Sequence, residues 1–372
     1  MDVIGIIAEY NPFHSGHKYH IDKIKEMYPD SLLIAVVSSS FTQRGDISIL
    51  NKWDKTKIVL DNNIDLVIEL PFVYSSQSAD VFAKGSLKLL NELKVEKLVF
   101  GSESNDINLI KEIAKLQVNN KDFEYEVKNY LDLGYNYPTS LSKAINKFNI
   151  KKIDSPNDLL GISYVKEIIK NNYNIEPITI KRTNNYHGNN SDNILSASEL
   201  REKINNNTSI KNFINYDEKL IYKNINIFPI LKYKIISDSN NLNKYQTVDE
   251  GIENRINKVI NESKTKDELI KNIKTKRYTY NKINRMLTHI LISLTKEEAK
   301  YEIDYIRILG MNSKGKNYLN NIKKEMVLPL VTNYKNVDSK LLNIEYRTTK
   351  IYSILVNDNS LINKELKGPI IK

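Results

Sequence analysis

Residues 8–20 read AEYNPFHSGHKYH, and the fold of the chain turns on them. A short apolar run, Val3-Ile4-Gly5-Ile6-Ile7, leads in; it is rich in β-branched residues and too short for a helix, which predicts a strand. Asn11-Pro12 interrupts the backbone, because proline lacks an N–H and biases its predecessor away from helix. His14-Ser15-Gly16-His17 follow, and the polar residues behind them read as the start of a helix. In an open α/β sheet, the carboxyl end of a strand meeting a helix N-terminus is where phosphates bind. Gly16 lets a phosphate approach the backbone closely. His14 and His17 lie three apart, so both imidazoles face one way on a first helical turn. Two donors aimed at one point suit the charge that builds on a phosphoryl group during transfer.

Placed directly after an N-terminal strand, this string resembles the HxGH signature of the nucleotidyltransferase superfamily, relatives of the class I aminoacyl-tRNA synthetases and pantetheine-phosphate adenylyltransferases. The chain's 372 residues are enough for two or more domains with real cores. Its 41% hydrophobic and 27% charged content is that of ordinary globular proteins. No apolar run approaches the roughly 20 residues of a membrane span, and no basic n-region or cleavage site precedes the first strand. The absence of cysteine excludes disulfides, thiol nucleophiles and thiolate-bound zinc. A cytoplasmic location is therefore expected. Net charge is −3 over residues 1–200 and +13 over residues 201–372. That asymmetry predicts a polyanion held by the C-terminal half while chemistry proceeds in the other, or else a solvated basic helical surface.

Further along, residues 31–38 (SLLIAVVS) predict a second buried strand, followed by a loop, Phe41 to Asp46, and a helix over 51–61. Residues 65–70 predict a third strand stopped by Pro71, 78–93 a helix, and 97–100 a fourth strand ending at Gly101-Ser102-Glu103. This alternation indicates right-handed crossovers and a parallel sheet. Gly101 then lies beside the nucleotide crevice, or is an ordinary turn glycine. Residues 105–150 read as helices without obvious chemistry. Ser155 and Pro156 suit the cap and first position of a helix, from whose first turn Asn157 offers an amide to an adenine or ribose edge, or simply helps to cap. Residues 175–180 predict a fifth strand, followed by Lys181-Arg182. In Ile194-Leu195-Ser196-Ala197-Ser198-Glu199-Leu200-Arg201, Ser196 and Glu199 form a capping box. Its free N–H groups, two hydroxyls and Arg201 make a phosphate cradle. The segment resembles the superfamily's ISSTxIR element, the counterpart of the synthetases' KMSKS loop.

Beyond Arg201, Asn, Lys and Ile dominate, and the only strand-like run is 225–231. Helices are expected over 248–261, 266–274 and 282–294. Lys274, Lys276, Arg277, Tyr278 and Arg285 interleave cations with an aromatic. Arg307, Lys314 and Lys316 flank a second loop, 310–316. Such a pattern fits RNA, whose phosphates take cations and whose unpaired bases stack on rings.

Together AEYNPFHSGHKYH, SFTQRGD, DLVIELPF, GSES, SPNDLLGISY and SASELR resemble the tRNA(Met) cytidine acetate ligases, densely over 1–201 and more loosely beyond. The resemblance implies a Rossmann-like α/β nucleotidyltransferase (HUP) parallel sheet over 1–201, followed by a basic, mainly helical tRNA-binding domain over 202–372. It implies that ATP and acetate give acetyladenylate and pyrophosphate, and that the acetyl group passes to N4 of the wobble cytidine (C34) of elongator tRNA(Met). Contacts to ATP would come from Ile7, Ala8, Glu9, Tyr10, Asn11, Pro12, Phe13, His14, Ser15, Gly16, His17, Lys18, Tyr19 and His20, with Gly101, Asn157 and Arg182. His14 and His17 are assigned to the α-phosphate. Lys18, Arg182 and the Ser196–Arg201 element (Ser196, Ser198, Arg201) are assigned to the β- and γ-phosphates, with Mg²⁺ bridging phosphates. Gln43 and Arg44 are candidates for the acetate, or Arg44 pairs with Asp46 or Glu103. Two other readings stand beside this one. An adenylyltransferase for a small phosphorylated metabolite would need no large basic half. A non-catalytic RNA-binding protein would have no use for His14, Gly16, His17 and Arg201.

Overall fold

The computed structural model describes residues 1–151, 153–182, 195–334 and 337–372. Five parallel strands form the frame: β1 (Val3–Ala8), β2 (Leu32–Ser38), β3 (Leu66–Leu70), β4 (Lys97–Ser102) and β5 (Glu176–Lys181). Each is an apolar run of five to seven residues bounded by turn residues, and β2 and β3 are buried along their whole length, as strands covered on both faces are. The helices between them are α1 (Ser15–Met27), α2 (Lys52–Asp61), α3 (Phe72–Ser75), α4 (Ala79–Glu92), α5 (Ile107–Asn119), α6 (Lys121–Asp132), α7 (Tyr137–Lys147) and α8 (Pro156–Lys170). These elements fall within a few residues of those expected from the sequence.

After β5 come α9 (Ala197–Asn205), α10 (Phe228–Ser237), α11 (Ile252–Val259), α12 (Lys266–Ile273) and α13 (Tyr280–Ile292). The strand-like run at 225–231 is instead the approach to α10, with Pro229 in its first turn, where a missing N–H costs nothing. The chain then returns to the sheet with β6 (Ile306–Met311), α14 (Ser313–Ile322), β7 (Leu330–Val331), α15 (Lys340–Leu355), α16 (Ser360–Glu365) and β8 (Ile370–Ile371). The second loop expected at 310–316 is thus the end of a strand and the start of a helix.

Strand order is β5-β4-β1-β2-β3-β6-β7, with β8 also on β6. β6 runs antiparallel to β3, pairing Leu66 with Met311 and Ile68 with Ile308. A division at 201/202 is therefore crossed by the sheet, since strands from the C-terminal half extend it past β3. Gly310 and Gly315 permit this: a Cβ at Gly310 would meet Thr56 at 2.5 Å, and one at Gly315 the Asp65 carbonyl at 2.2 Å. From β1 the chain steps to β2 and β3 on one side and later to β4 and β5 on the other. The crevice at the carboxyl end of β1 is the switch point where such sheets bind ligands.

Candidate active site

The turn from β1 into α1 builds the centre of that crevice. Tyr10 takes a left-handed conformation (φ +47°), the Asn11-Pro12 bond is cis, and Phe13 is fully buried beneath. His14 is extended and caps α1, rather than riding on its first turn. Its Nδ1 accepts the Gly16 N–H at 3.0 Å, and His17 Nδ1 accepts the His14 N–H at 3.3 Å, a reciprocal capping box made of imidazoles. The ring centres are 3.9 Å apart. With both Nδ1 atoms accepting, each neutral ring carries its proton on Nε2. Burial, with Arg182 and Arg201 nearby, lowers His14 to about 4. Burial and the neighbouring His14 and Arg182 hold His17 well below the usual histidine range. His20, lowered to about 4 by burial and Arg182, leaves its buried Nε2 without a partner.

These rings face a cavity of about 420 Å³. On the β4 and β5 side, Gly101, Asn157, Arg182, Ser196, Ser198 and Arg201 all line it. Gly101 leaves the room that Arg182 occupies, for its Cβ would stand 3.0 Å from Arg182 Cγ. Asn157 donates to Glu103 Oε1, and the same oxygen lies 3.9 Å from Arg182 Nε. The Asn157 amide is therefore oriented by Glu103, leaving its carbonyl oxygen free to face a ligand. Ser196 and Glu199 form the expected capping box, while Ile194 lies outside the described residues. Arg201 donates to the Asn11 carbonyl at 2.6 Å and to Ser198 Oγ at 3.2 Å, so it ties α9 to the histidine turn.

Several expected contacts are placed elsewhere. Lys18 lies outside the cavity and pairs with Asp22 at 2.6 Å on the exposed face of α1, one turn away. Pro12, Phe13 and Ser15 support the turn without lining the cavity, whereas Ile7, Ala8, Glu9, Tyr10, Asn11, Gly16 and Tyr19 do line it. Of the residues expected to meet RNA, Arg307 is buried on β6 between Glu69 and Glu365, 2.7 Å from the latter. Tyr278 is buried, its hydroxyl donating to the Asp249 carbonyl at 2.7 Å, so its ring is no stacking platform. Lys314 donates to the Asp30 and Ser31 carbonyls at the start of β2, which puts it and Lys316 at the end of the sheet opposite the crevice. Lys274, Lys276 and Arg277 remain exposed, Arg277 pairing with Glu250 at 3.1 Å.

On the β2 side, Gln43 and Arg44 line the cavity. Gln43 is already engaged: its N–H donates to Glu9 Oε1 and its Nε2 to the Gln77 carbonyl, both at 2.5 Å. Arg44 pairs with neither Asp46, which accepts from Asn284, nor Glu103. Phe82, Phe100 and Tyr164 supply apolar walls. Three positioning residues were not found by reading the sequence. Lys55, lowered to about 7 by burial, donates to the carbonyls of Glu9, Ser38 and Ser39, tying the ends of β1 and β2. Asp158 accepts from Ser102, Ser104 and Ser155, and Glu103 orients Asn157. Most of their partners are remote in sequence, and so left no local signal.

Residues 1–366 match the family described as HIGH Nucleotidyl Transferase. The chain is 38% identical to the tRNA(Met) cytidine acetate ligase of Fusobacterium nucleatum, across 100% of this chain and 99% of that one. It is 36% identical to the Clostridium tetani protein of the same name, over the full length of both. The crystal structure of Thermotoga maritima TmcAL bound with alpha-thio ATP superposes with a TM-score of 0.88 at 26% identity, covering 100% of this chain and 99% of that one. Matched over nearly its whole length, the chain belongs to the HIGH nucleotidyltransferases and, within them, to the tRNA(Met) cytidine acetate ligases.

Proposed function

We propose that the protein activates acetate with ATP and passes the acetyl group to N4 of the wobble cytidine (C34) of elongator tRNA(Met), in the cytoplasm. The observation that carries this reading is the pair of neutral imidazoles, His14 and His17, each with Nε2–H available at the switch point of the sheet. An acetate oxygen attacks the α-phosphorus, the bond to the bridging oxygen breaks, and pyrophosphate leaves. No protein nucleophile is needed; placement and charge stabilisation supply the catalysis. The Nε2–H groups donate to the α-phosphate oxygens as their charge grows. Arg182 and the α9 N-terminus with Ser196 and Ser198 hold the outgoing phosphates. Arg201 acts chiefly by fixing α9 against Asn11.

Among the described residues the carboxyl groups lining the cavity are those of Glu9 and Asp46, and they are engaged by Gln43 and Asn284. The residues present therefore fit a Mg²⁺ ion that arrives on the nucleotide's own phosphates. Acetate approaches on the β2 side, with Gln43 and Arg44 at the rim. The cytosine amine then attacks the acyl carbon, AMP leaves, and the amine gives up a proton. The exposed cations of the segment after α12, Lys274 and Lys276, are assigned to the tRNA.

The test is ATP–pyrophosphate exchange without RNA, with and without acetate, followed by an assay for N4-acetylcytidine in tRNA. Acetate-dependent exchange is expected, reduced about 10²- to 10³-fold in His14→Ala and in His17→Ala. Absence of both exchange and N4-acetylcytidine would overturn the reading.

A further inference from the structure

The nucleotide accounts for the cations on the β4 and β5 side of β1, but not for those across it. The loop that leaves β2 folds onto α13, and Gly45 (φ +85°) is pressed so closely there that a Cβ would stand 2.8 Å from both N and Cα of Arg285. Asn284 Nδ2 donates to the Arg44 carbonyl at 2.9 Å and to Asp46 Oδ1 at 2.8 Å; Thr288 Oγ1 donates to the Gly45 carbonyl at 2.7 Å. These bonds fix Arg44, which lines the cavity, beside Arg285 on a helix of the C-terminal half. The charge of Arg44, after burial, pulls Arg285 down to about 10. Among the described residues neither guanidinium has a carboxylate partner within 4.0 Å, while the acid nearest in sequence, Asp46, is turned to Asn284.

Two cationic side chains carried on packed backbone segments, each within reach of the other's charge and neither paired with an acid, repel each other, and a bound anion turns that arrangement into a charge-assisted clamp. Acetate, a single charge, needs only one of them. The acceptor carries a phosphodiester on each side of the target base, and it must enter on the side of β1 that the nucleotide leaves free. We propose that Arg44 and Arg285 together clamp an acceptor-RNA phosphodiester adjoining the target base and so hold that base over the acyl group. This rests on the reading that the acceptor is RNA; the cation pattern already put Arg285 among the RNA contacts, and what is new is its pairing with Arg44 at the cavity on one phosphodiester beside the target base.

The test measures binding of unmodified elongator tRNA(Met) transcript to the full chain between about 50 and 200 mM salt. Wild type, Arg285→Gln and Arg285→Lys are compared, beside acetate-dependent ATP–pyrophosphate exchange without RNA. Arg285→Gln is expected to weaken tRNA binding about tenfold. It should also flatten the slope of log K against log salt by about 0.7, one phosphate contact on a single strand. Arg285→Lys should restore the slope, which a merely structural role of the side chain would not predict. The tRNA effect should exceed any change in acetate KM. An unchanged slope in Arg285→Gln would overturn the clamp, and so would an acetate KM that rises as far as tRNA affinity falls. If wild-type protein makes no N4-acetylcytidine, the acetylation reading fails separately, and the salt slope still decides the clamp.

Discussion

In the proposed reaction His14 meets the phosphate as a neutral donor, and this has a consequence for pH. Burial and two arginines lower it to about 4, against about 6.5 for an unperturbed imidazole. The group is depressed on folding, so its contribution to stability is complete above pH 6.5 and is lost as pH falls toward 4. His20 and His289, both lowered to about 4 chiefly by burial, act in the same direction. We expect long-range ¹H–¹⁵N spectra at pH 5.5 to show His14 still in its Nε2–H form. The acid limb of kcat/KM for ATP, which reports free-enzyme ionisations, should lie near pH 4 to 5; activity that instead falls as pH rises through the imidazole range would show that His14 works as a cation. Lys18 gives the opposite expectation to its neighbours. It is about half exposed and pairs with Asp22 away from the cavity, and exposed pairs of this spacing contribute only about 0.3–0.5 kcal/mol. Lys18→Ala should therefore change the KM for ATP less than about twofold, whereas a tenfold rise would return Lys18 to the phosphates.

The nucleotide side of the cleft depends on how closely α8 sits on β4. Gly161 lies on α8 where a Cβ would stand 2.4 Å from Phe100 Cε2, and Phe100 is also a wall of the cavity. Gly161→Ala should force α8 outward, carrying Asn157 with it, and cost about 1–3 kcal/mol. The expected readout is a lower midpoint in urea together with a raised KM for ATP. A loss of stability with KM unchanged would separate the packing from the site. Most elements of this half were legible because the strands are apolar runs cut off by turn residues and helices such as α4 and α5 are amphipathic, whereas the short, wholly buried α3 was not read. The histidine turn and the Ser196 box are contiguous motifs and were legible for the same reason. What failed was long-range. β6 is not read as a strand from its own residues; it forms against β3, some 240 positions earlier, a pairing with no local signature. Arg307 looked like an RNA contact because Glu69 and Glu365, which take its charge, are invisible from its own neighbourhood. Tyr278 looked like a stacking ring because its burial depends on Asp249 and α13, not on the cations beside it.

At the scale of the whole molecule, a closed ionic cluster joins the C-terminal strands to the nucleotide fold. Lys52 of α2 lies 2.6 Å from Glu69 of β3 and 2.8 Å from Glu365 of α16, and Arg307 of β6 lies 2.7 Å from Glu365. All four side chains are buried. A fifth buried group, Glu345 of α15, accepts the N–H of Phe72 and lies beside Ser39, whose carbonyl is held by Lys55. Burial and the charge of Glu69 push Glu345 up to about 8, so at neutral pH it is mainly a protonated carboxyl. Two outcomes follow from these opposite balances. Arg307→Met keeps the volume but leaves two buried carboxylates facing one lysine, and breaking such a pair costs about 3–5 kcal/mol. The loss should appear as a lower unfolding midpoint, with tRNA affinity per folded molecule unchanged, because Arg307 does not reach the surface. Glu345 is raised on folding, so the stability it lends is complete below about pH 4.5 and declines as pH rises through 8. Glu345→Gln keeps a neutral side chain of the same shape at every pH. Its unfolding free energy should therefore decline less than wild type's between pH 5 and 9, the two curves parting as the wild-type carboxyl must either ionise or hold its proton. Parallel curves over that range would mean that Glu345 is already ionised in the folded chain. Lys52 would then have to balance three carboxylates with Arg307 alone to assist it, and Arg307→Met should become the more damaging of the two changes at every pH.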